Sequence, residues 1–259
     1  MTVVAQVQPR AVRATLKHRK SADKLSADEV KRLRETIKAA LKIADNRGYQ
    51  FYAGWHGVPF EYCKHHEPLF LPWHRAYLYF FELSLQRIDP EVTLPWWDWT
   101  ALDEIPKPFR TGALGSAPIK PFTSVSRPGW PKTTFRKPGQ HPMVPRLPSL
   151  AEYEWAMSAP SFTAFNERIT PIHDSVHVWV GGTMGDPDWA AYDPLFWAHH
   201  CMVDRAWRIW QHNKPGALPP NWLLDQSLRP RNISVRDVLD VKQLGYDYAQ
   251  SSSSVGGTR

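Results

Sequence analysis

Residues 173-HDSVHVWVGGTM-184 place two histidines four positions apart. On a helix, His173 and His177 lie on the same face about one turn apart, where two imidazoles can bind one metal ion. A lone HxxxH pattern is as often an exposed pair without function. The flanking apolar residues Val176, Val178 and Trp179 favour burial here, and burying imidazoles without partners is costly. Metal binding is therefore the favoured interpretation.

Eight of the eleven histidines, His173 and His177 among them, fall into two groups that could each supply three nitrogen ligands. The first group is His56, His65, His66 and His74, and the second is His173, His177, His199 and His200. Neither group contains the carboxylates that complete dinuclear magnesium, manganese or zinc hydrolase sites. Imidazole coordination with open positions suits copper. One Cu(I) gives O2 a single electron, whereas a pair gives two, so the pattern predicts two copper ions with O2 as co-substrate.

Four blocks of the sequence resemble the type 3 copper proteins, the family of tyrosinases, catechol oxidases (polyphenol oxidases) and molluscan haemocyanins. The blocks are 70-FLPWHRAYLYFFE-82, 94-LPWWDW-99, 173-HDSVHVWVGGTM-184 and 193-DPLFWAHHCMVDRAW-207. The resemblance extends from about Ser26 to His212. These blocks in this order are far more specific than a single HxxxH.

The resemblance implies the ligands of the first copper. In GWHG and LPWHR, His56 and His74 match the first and third ligands. The middle ligand lies nine residues before the third in relatives, which selects His65 and leaves His66 as a neighbour. Cys63 completes the C-x-H pattern of fungal tyrosinases and molluscan haemocyanins, where the sulfur is bonded to a carbon of that imidazole. A Cys63–His65 thioether is therefore implied, with a free buried thiol as the alternative.

For the second copper, the resemblance implies His173, His177 and the later member of the final HH pair, His200. His199 then lies in the shell around the ligands. Phe196 is expected to pack beneath the copper pair, as its counterpart does in relatives.

Asp204 shares a helix face with His200, four residues away. Its carboxylate could accept the free imidazole N–H and fix the tautomer, a usual role beside a metal ligand. An ion pair with Arg208, another four residues along, explains it equally well.

The resemblance also implies a substrate pocket. Asp174 and an upstream glutamate, Glu167, match residues that hold a water for deprotonating a monophenol, although Glu167 lies closer to His173 than in bacterial tyrosinases. A charge in the first turn of a helix explains Asp174 equally well. Pro187 matches the gate over the second copper, beside the apolar Val178, or else belongs to a plain loop.

The implied activity is that of a polyphenol oxidase, which uses O2 to oxidise o-diphenols to o-quinones. Hydroxylation of monophenols, the tyrosinase activity, would be a further step. An oxygen carrier of the haemocyanin type and a non-catalytic relative are the alternatives. Haemocyanin units have a C-terminal domain over the copper pair, and the 47 residues after His212 contain no obvious counterpart, which favours the enzyme.

The predicted fold is mainly α, an antiparallel four-helix bundle with long irregular loops that holds the dinuclear copper site. A capping box, Ser26-Ala-Asp-Glu29, opens a helix to about Asn46. Further helices are predicted from Trp73 to Ile88, from Thr170-Pro171 to Gly181-Gly182, and from Asp193-Pro194 to about His212.

A single domain is expected over residues 1–259. Residues 101–150 contain ten prolines, and eight basic residues against two acidic ones, which predicts a basic loop over one domain rather than a linker. The tail, 250–259, is predicted to be disordered.

Composition excludes several classes of protein. The net charge is +7, but no nucleic-acid-binding motif accompanies it. Two cysteines, Cys63 and Cys201, cannot organise a disulfide framework. No secretory signal is visible, and no apolar run approaches the roughly 18 residues of a membrane span. We expect a soluble protein, either cytoplasmic or exported with an escort protein. Its expected partners are a phenolic small molecule, O2 and a copper-delivery or escort protein.

Overall fold

The structure is a computed structural model and describes residues 16–122 and 130–249. Within these residues seven α-helices are formed: α1 (Ala27–Ala40), α2 (Tyr49–His56), α3 (Phe70–Gln86), α4 (Leu150–Met157), α5 (Phe162–Val180), α6 (Pro194–Asn213) and α7 (Asn221–Leu224). Two short strands, β1 (Lys17–Arg19) and β2 (Tyr246–Tyr248), pair in parallel, with Lys17 opposite Tyr246. The helices of the described part are all too short or too polar to cross a membrane.

The helices α2, α3, α5 and α6 surround the histidine groups, which confirms the predicted helical bundle. Helix α3 packs against both α5 and α6, and α5 packs against α6. Aromatic rings fill the contacts: Phe81 of α3 stacks on Trp197 of α6 with ring centroids 3.6 Å apart. The tryptophans account for much of this core, because Trp96, Trp97, Trp99, Trp197, Trp207 and Trp210 are all less than 2 % exposed.

Two predicted helix starts are confirmed by their caps. Ser26 and Glu29 form the reciprocal capping box at the start of α1, although that helix ends at Ala40 rather than near Asn46. At α6 the Asp193 carboxylate accepts the N–H of Leu195 at 2.9 Å, and Pro194 is the first helical residue. The helix reaches Asn213, one residue beyond the predicted end.

The prediction that Thr170-Pro171 opens a helix is wrong. Helix α5 begins two and a half turns earlier, where the Ser161 hydroxyl accepts the N–H of Ala164, and Pro171 lies in its interior. Proline at this position removes one backbone N–H donor, and its ring crowds the carbonyl of the preceding turn. The packing of the helical turns on either side outweighs that cost. The predicted end is confirmed, because Gly181 follows Val180 in the left-handed region with φ +62°.

Helix α3 begins at Phe70 rather than Trp73, because Pro72 is tolerated within the first turn, and it ends at Gln86. The 101–150 segment is irregular as predicted, with short 3-10 turns at Lys107–Phe109 and Gly112–Leu114. A second capping box, formed by Ser149 and Glu152, starts α4 and was not anticipated from the sequence. The predicted disordered tail, 250–259, lies outside the described residues.

A buried charged cluster ties the two strands to the bundle. The Asp204 carboxylate on α6 accepts hydrogen bonds from Arg75 Nε at 2.5 Å, Tyr248 Oη at 2.6 Å, Tyr246 Oη at 2.7 Å and Arg19 Nη1 at 3.3 Å. We call these five residues the Asp204 cluster. Because Arg75 lies on α3, the cluster fixes α3 against α6.

Burial alone would raise the pKa of Asp204, but the Arg75 and Arg19 guanidinium groups, with the two tyrosine hydroxyls, hold that pKa below its usual value. The carboxylate is therefore charged in the folded protein. A second carboxylate, Glu82 of α3, pairs with Arg19 at 3.1 Å.

Candidate metal centre

The first histidine group converges at the junction of α2 and α3. His56 is the last residue of α2, His74 lies in the first turns of α3, and His65 comes from the loop between them. The Nε2 atoms of His56 and His65 are 3.2 Å apart. The ring centroids of His65 and His74 are 5.7 Å apart. Three imidazoles thus face one point, and the assignment of His65 as the middle ligand stays a prediction.

The second group brings together α5 and α6. The Nε2 atoms of His173, His177 and His200 form a triangle. Its sides are 3.0 Å from His177 to His173, 3.2 Å from His177 to His200 and 3.2 Å from His173 to His200. A point equidistant from the three nitrogens lies about 1.8 Å from each, close to the roughly 2.0 Å of metal–imidazole bonds. These three residues would therefore be able to hold one metal ion.

Acceptors on the far side of the rings fix their tautomers. Backbone carbonyls accept the Nδ1–H groups of three ligands: Phe70 from His74 at 2.8 Å, Met184 from His177 at 2.8 Å and Pro187 from His56 at 3.0 Å. A carbonyl can only accept, so the proton sits on Nδ1 and the lone pair on Nε2 points into the centre. The Asp174 carboxylate does the same for Nδ1 of His173 at 2.9 Å.

Burial keeps these imidazoles neutral. It lowers the pKa of His177 to about 3 and, together with the neighbouring His66, the pKa of His65 to about 4. The pKa values of the other ligand histidines also lie well below the usual range, and burial is again the largest cause. Neutral lone pairs facing one another at 3.0–3.2 Å repel unless a cation lies between them. The residues therefore fit a metal, and an imidazole set without carboxylate ligands fits copper.

The two centres are adjacent. His74 of the first and His200 of the second stack with centroids 4.4 Å apart and planes 13° from parallel. Beneath them, the fully buried Phe196 ring lies 4.1 Å from His200 and 4.7 Å from His56, centroid to centroid. The site thus fits a pair of metal ions, with the Phe196 ring against a histidine of each centre.

Each centre has a further donor nearby. Cys63 Sγ is 3.5 Å from both ring nitrogens of His65 and 3.4 Å from Nε2 of His74. In the second centre the fully buried His199 stacks on His173, with centroids 5.0 Å apart and planes 13° from parallel. Within the described residues neither ring nitrogen of His199 has a hydrogen-bond partner. His199 therefore touches His173 through its ring face, and its place outside the ligand set stays a prediction.

Asp204 does not act on His200 in the structure. Nδ1 of His200 has no hydrogen-bond partner in the described part of the chain. The Asp204 carboxylate instead accepts hydrogen bonds from the other members of the Asp204 cluster, Arg75 and Tyr246 among them. The alternative partner is also wrong, because Arg208 pairs with Asp247 at 3.1 Å. Helical spacing placed Asp204 near His200, but the two buried guanidinium groups attract the charge more strongly than a neutral imidazole does.

The residues near the predicted substrate pocket differ in how exposed they are and in which centre they adjoin. His66 is outside the centre, with its side chain 70 % exposed and Nε2 3.5 Å from Asp174 Oδ2. Asp174 is about one third exposed, and Val178 is half-buried on the same helix. Pro187 is exposed and its carbonyl faces His56 of the first centre, while Glu167 is exposed on α5. Asp174 contacts His173 and His66, and within the described residues no hydrogen bond or ion pair joins it to Glu167.

The backbone acceptors at Met184 and Pro187 were missed by sequence reasoning. Every residue offers a carbonyl, so no residue type signals which one will face an imidazole. The Phe70 carbonyl was in principle detectable, because it lies four residues before His74 on one helix.

Comparisons with known proteins agree with this geometry. The family model of the common central domain of tyrosinase matches residues 46–213, and that of the polyphenol oxidase middle domain matches residues 224–254. A tyrosinase of Streptomyces glaucescens is 32% identical over 86% of this chain and 95% of its own length. Hemocyanin units G and H of Sepia officinalis are also 32% identical, over 74% of this chain and 37% of that protein.

Solved structures show the same fold. A functional unit of octopus hemocyanin superposes with a TM-score of 0.77 at 25% identity, covering 90% of this chain and 68% of that one. A tyrosinase from Burkholderia thailandensis superposes with a TM-score of 0.76 at 20% identity, covering 92% and 75%.

Proposed function

The chain belongs to the tyrosinase family of type 3 copper proteins, and from this premise we propose that it is an enzyme, a phenol oxidase that uses O2 to convert o-diphenols to o-quinones. The observation that carries the proposal is partial exposure at the centre. His65 is half-buried although it faces the first centre, and Asp174 beside the second is about one third exposed. A flat phenol ring could therefore approach the pair from this side.

When bound, the two copper ions supply the electron transfer by which one O2 oxidises two o-diphenols to two o-quinones and becomes two waters. The chain holds the ligand rings in place through the Nδ1 contacts and keeps water from the underside with Phe196. Val178 and Pro187 are proposed to form the rim against which the ring of the phenol packs.

Asp174 is proposed to serve the hydroxylation of monophenols. Its Oδ1 is engaged by His173 Nδ1, whereas Oδ2 faces His66 at 3.5 Å. Oδ2 is therefore the oxygen that would hold a water or accept the phenolic proton. The share of Glu167 in holding that water rests on the family resemblance alone.

Oxygen uptake by the copper-loaded protein tests the activity. We expect uptake with a simple catechol, in a ratio of one O2 to two catechols, and uptake with the matching monophenol if Asp174 acts as proposed. Uptake with catechol alone would reject the role of Asp174 and leave a catechol oxidase. No uptake with either substrate, from protein that holds both coppers, would reject the oxidase.

An oxygen carrier is the second candidate, because the hemocyanin units of Sepia officinalis match this chain at the same 32% identity as a tyrosinase. A carrier would bind O2 reversibly without consuming it in the presence of catechol. The uptake measurement therefore separates the two.

A thioether between Cys63 and His65 is proposed as a further feature of the first centre. The Cys63 sulfur lies 3.5 Å from each of the two ring nitrogens of His65. Equal distances are expected if the sulfur is directed toward the ring carbon between these nitrogens. Forming the bond removes the hydrogen of the thiol and that of the ring carbon, and O2 would take up the two electrons and two protons as hydrogen peroxide, a reaction that bound copper would support. The bond would restrain rotation of this ring.

Intact mass of the denatured protein tests the thioether. Protein loaded with copper in air should be lighter by two hydrogen atoms than the sequence mass and should offer one alkylatable thiol, Cys201, because Cys63 is consumed. Protein produced without copper should show the full mass and two thiols. The full mass in the copper-loaded protein would reject the bond.

Delivery of copper by an escort protein, the absence of nucleic-acid partners, the single domain over residues 1–259 and the compartment stay predictions from the sequence. The proposed small-molecule partners are a phenol and O2.

A further inference from the structure

One short segment, Met184–Pro187, contacts a ligand of each centre. Its first carbonyl accepts the Nδ1–H of His177 in the second centre at 2.8 Å, and its last accepts that of His56 in the first at 3.0 Å. The acceptors of other ligands are local to one centre. Phe70 serves His74 on the same helix, and Asp174 is adjacent to His173.

The segment is held in a defined shape. The Asp186 carboxylate accepts the N–H of Asp188 at 3.0 Å, and the Asp186 carbonyl accepts the N–H groups of Trp189 at 3.0 Å and Ala190 at 2.9 Å. Just before the segment, the N–H of Thr183 donates to the Phe135 carbonyl at 2.9 Å. These bonds make the two acceptor carbonyls parts of one rigid turn.

The residue that follows the segment, Asp188, is packed directly against the end of α2. Gly57 follows His56, and a Cβ at Gly57 would lie 2.4 Å from the Asp188 carbonyl oxygen and 2.5 Å from its Cα. Only glycine leaves room for this approach. The position of the segment and the end of α2 are therefore interdependent.

From these contacts we propose that Met184–Pro187 is a positioning element that fixes the first and second copper centres relative to each other. An N–H···O=C bond sets both the tautomer and the ring angle of a ligand, and losing such a contact typically costs about 10- to 100-fold in metal affinity. Because one rigid turn makes this contact at both centres, displacing it changes their relative geometry. The inference rests on the dinuclear copper site and is independent of the proposed oxidase activity.

The test is Gly57→Ala, which would push the segment away from His56. The matched control is Gly115→Ala, whose Cβ would meet backbone equally closely, 2.6 Å from Thr111 N, but outside both centres. Copper per chain is measured after dialysis against a weak chelator, and the Cu(II) form is examined by electron paramagnetic resonance. Adjacent Cu(II) ions couple and give little signal, whereas an isolated Cu(II) gives a clear one.

We expect Gly57→Ala to bind copper at the first centre about 10- to 100-fold more weakly and to show the signal of uncoupled Cu(II). Gly115→Ala should keep both coppers and the coupled spectrum, even if it unfolds at lower temperature. Two tightly held, coupled coppers in Gly57→Ala would overturn the proposal. Such a result could coexist with full oxidase activity, so the two proposals fail separately.

If Gly57→Ala does not fold, Asp186→Ala decides. Asp186 is exposed, and its side chain accepts the Asp188 N–H within the turn, so its loss should loosen the turn without unfolding the chain. Release of copper from the first centre to the chelator should become about tenfold faster. An unchanged release rate would overturn the proposal.

Discussion

Replacing His65 with alanine is expected to abolish O2 consumption and to leave the first centre without its copper. Nε2 of His65 faces that of His56 at 3.2 Å, so the substitution removes one of three converging nitrogens. Losing a catalytic metal forfeits several kcal/mol of stabilisation, which corresponds to a rate loss of about a thousandfold or more. Copper content by atomic absorption and O2 uptake with catechol measure both effects. His74→Ala should behave alike, whereas His200→Ala should abolish O2 consumption with loss of copper from the second centre.

The matched control is His66→Ala. This neighbour is 70 % exposed on its side chain and contacts Asp174 rather than a ligand nitrogen. The variant should keep both coppers and consume O2 with catechol. If His66→Ala loses half of its copper and His65→Ala does not, the ligand assignment is displaced by one residue.

Asp204→Asn is expected to lower the free energy of unfolding by about 3–5 kcal/mol, the usual cost of breaking a buried ion pair from one side. Asparagine is nearly the same size but cannot balance Arg75, which is fully buried and would lose its only ion-pair partner in the described structure. Urea unfolding of the copper-free variant and wild type measures the difference. Because Arg75 adjoins His74, weaker copper binding should accompany the loss.

Asp247→Asn serves as the control for this prediction. Asp247 lies on β2 between Tyr246 and Tyr248 of the Asp204 cluster, but it pairs with Arg208 nearer the surface. Its replacement should cost about 1 kcal/mol or less. If the two variants unfold at the same urea concentration, the Asp204 cluster contributes no more than an ordinary surface pair.

The contribution of Asp204 should also depend on pH. Its pKa is lower in the folded than in the unfolded chain, so the unfolded state binds the proton more readily. The stabilisation is therefore fully present above the unfolded pKa of about 3.9 and is lost as the pH falls through the folded pKa. The difference in stability between wild type and Asp204→Asn should narrow below about pH 4. A stability difference between the two proteins that stayed constant as the pH fell would contradict the conclusion that Asp204 is charged in the folded protein.

Local chain geometry made several features predictable from the sequence alone. The four-residue spacing of His173 and His177 places both on one helix face wherever the helix packs, and Asp193-Pro194 is a start signal that needs no tertiary partner. The identities of the ligand histidines followed from family blocks. The structure brings three of them together in each of two groups, one with Cys63 and one with His199.

Other features depended on residues distant in sequence. Pro171 looked like a helix start, but the packing of α5 in the bundle carries the helix through it. Asp204 has the spacing to reach His200, yet Arg75 from α3 and Arg19 from β1 bind its carboxylate. A charge buried in a medium of low polarity pairs with the nearest opposite charge, whose location only the assembled fold determines.

The sequence by itself thus determined a helical protein with two imidazole groups for copper. Side-chain type and helical period carry that information locally. Only the tertiary structure decided which groups hold those imidazoles in place, above all the Met184 and Pro187 carbonyls. Carbonyls are chemically identical along the chain, so what distinguishes these two is their position beside His177 and His56 after folding.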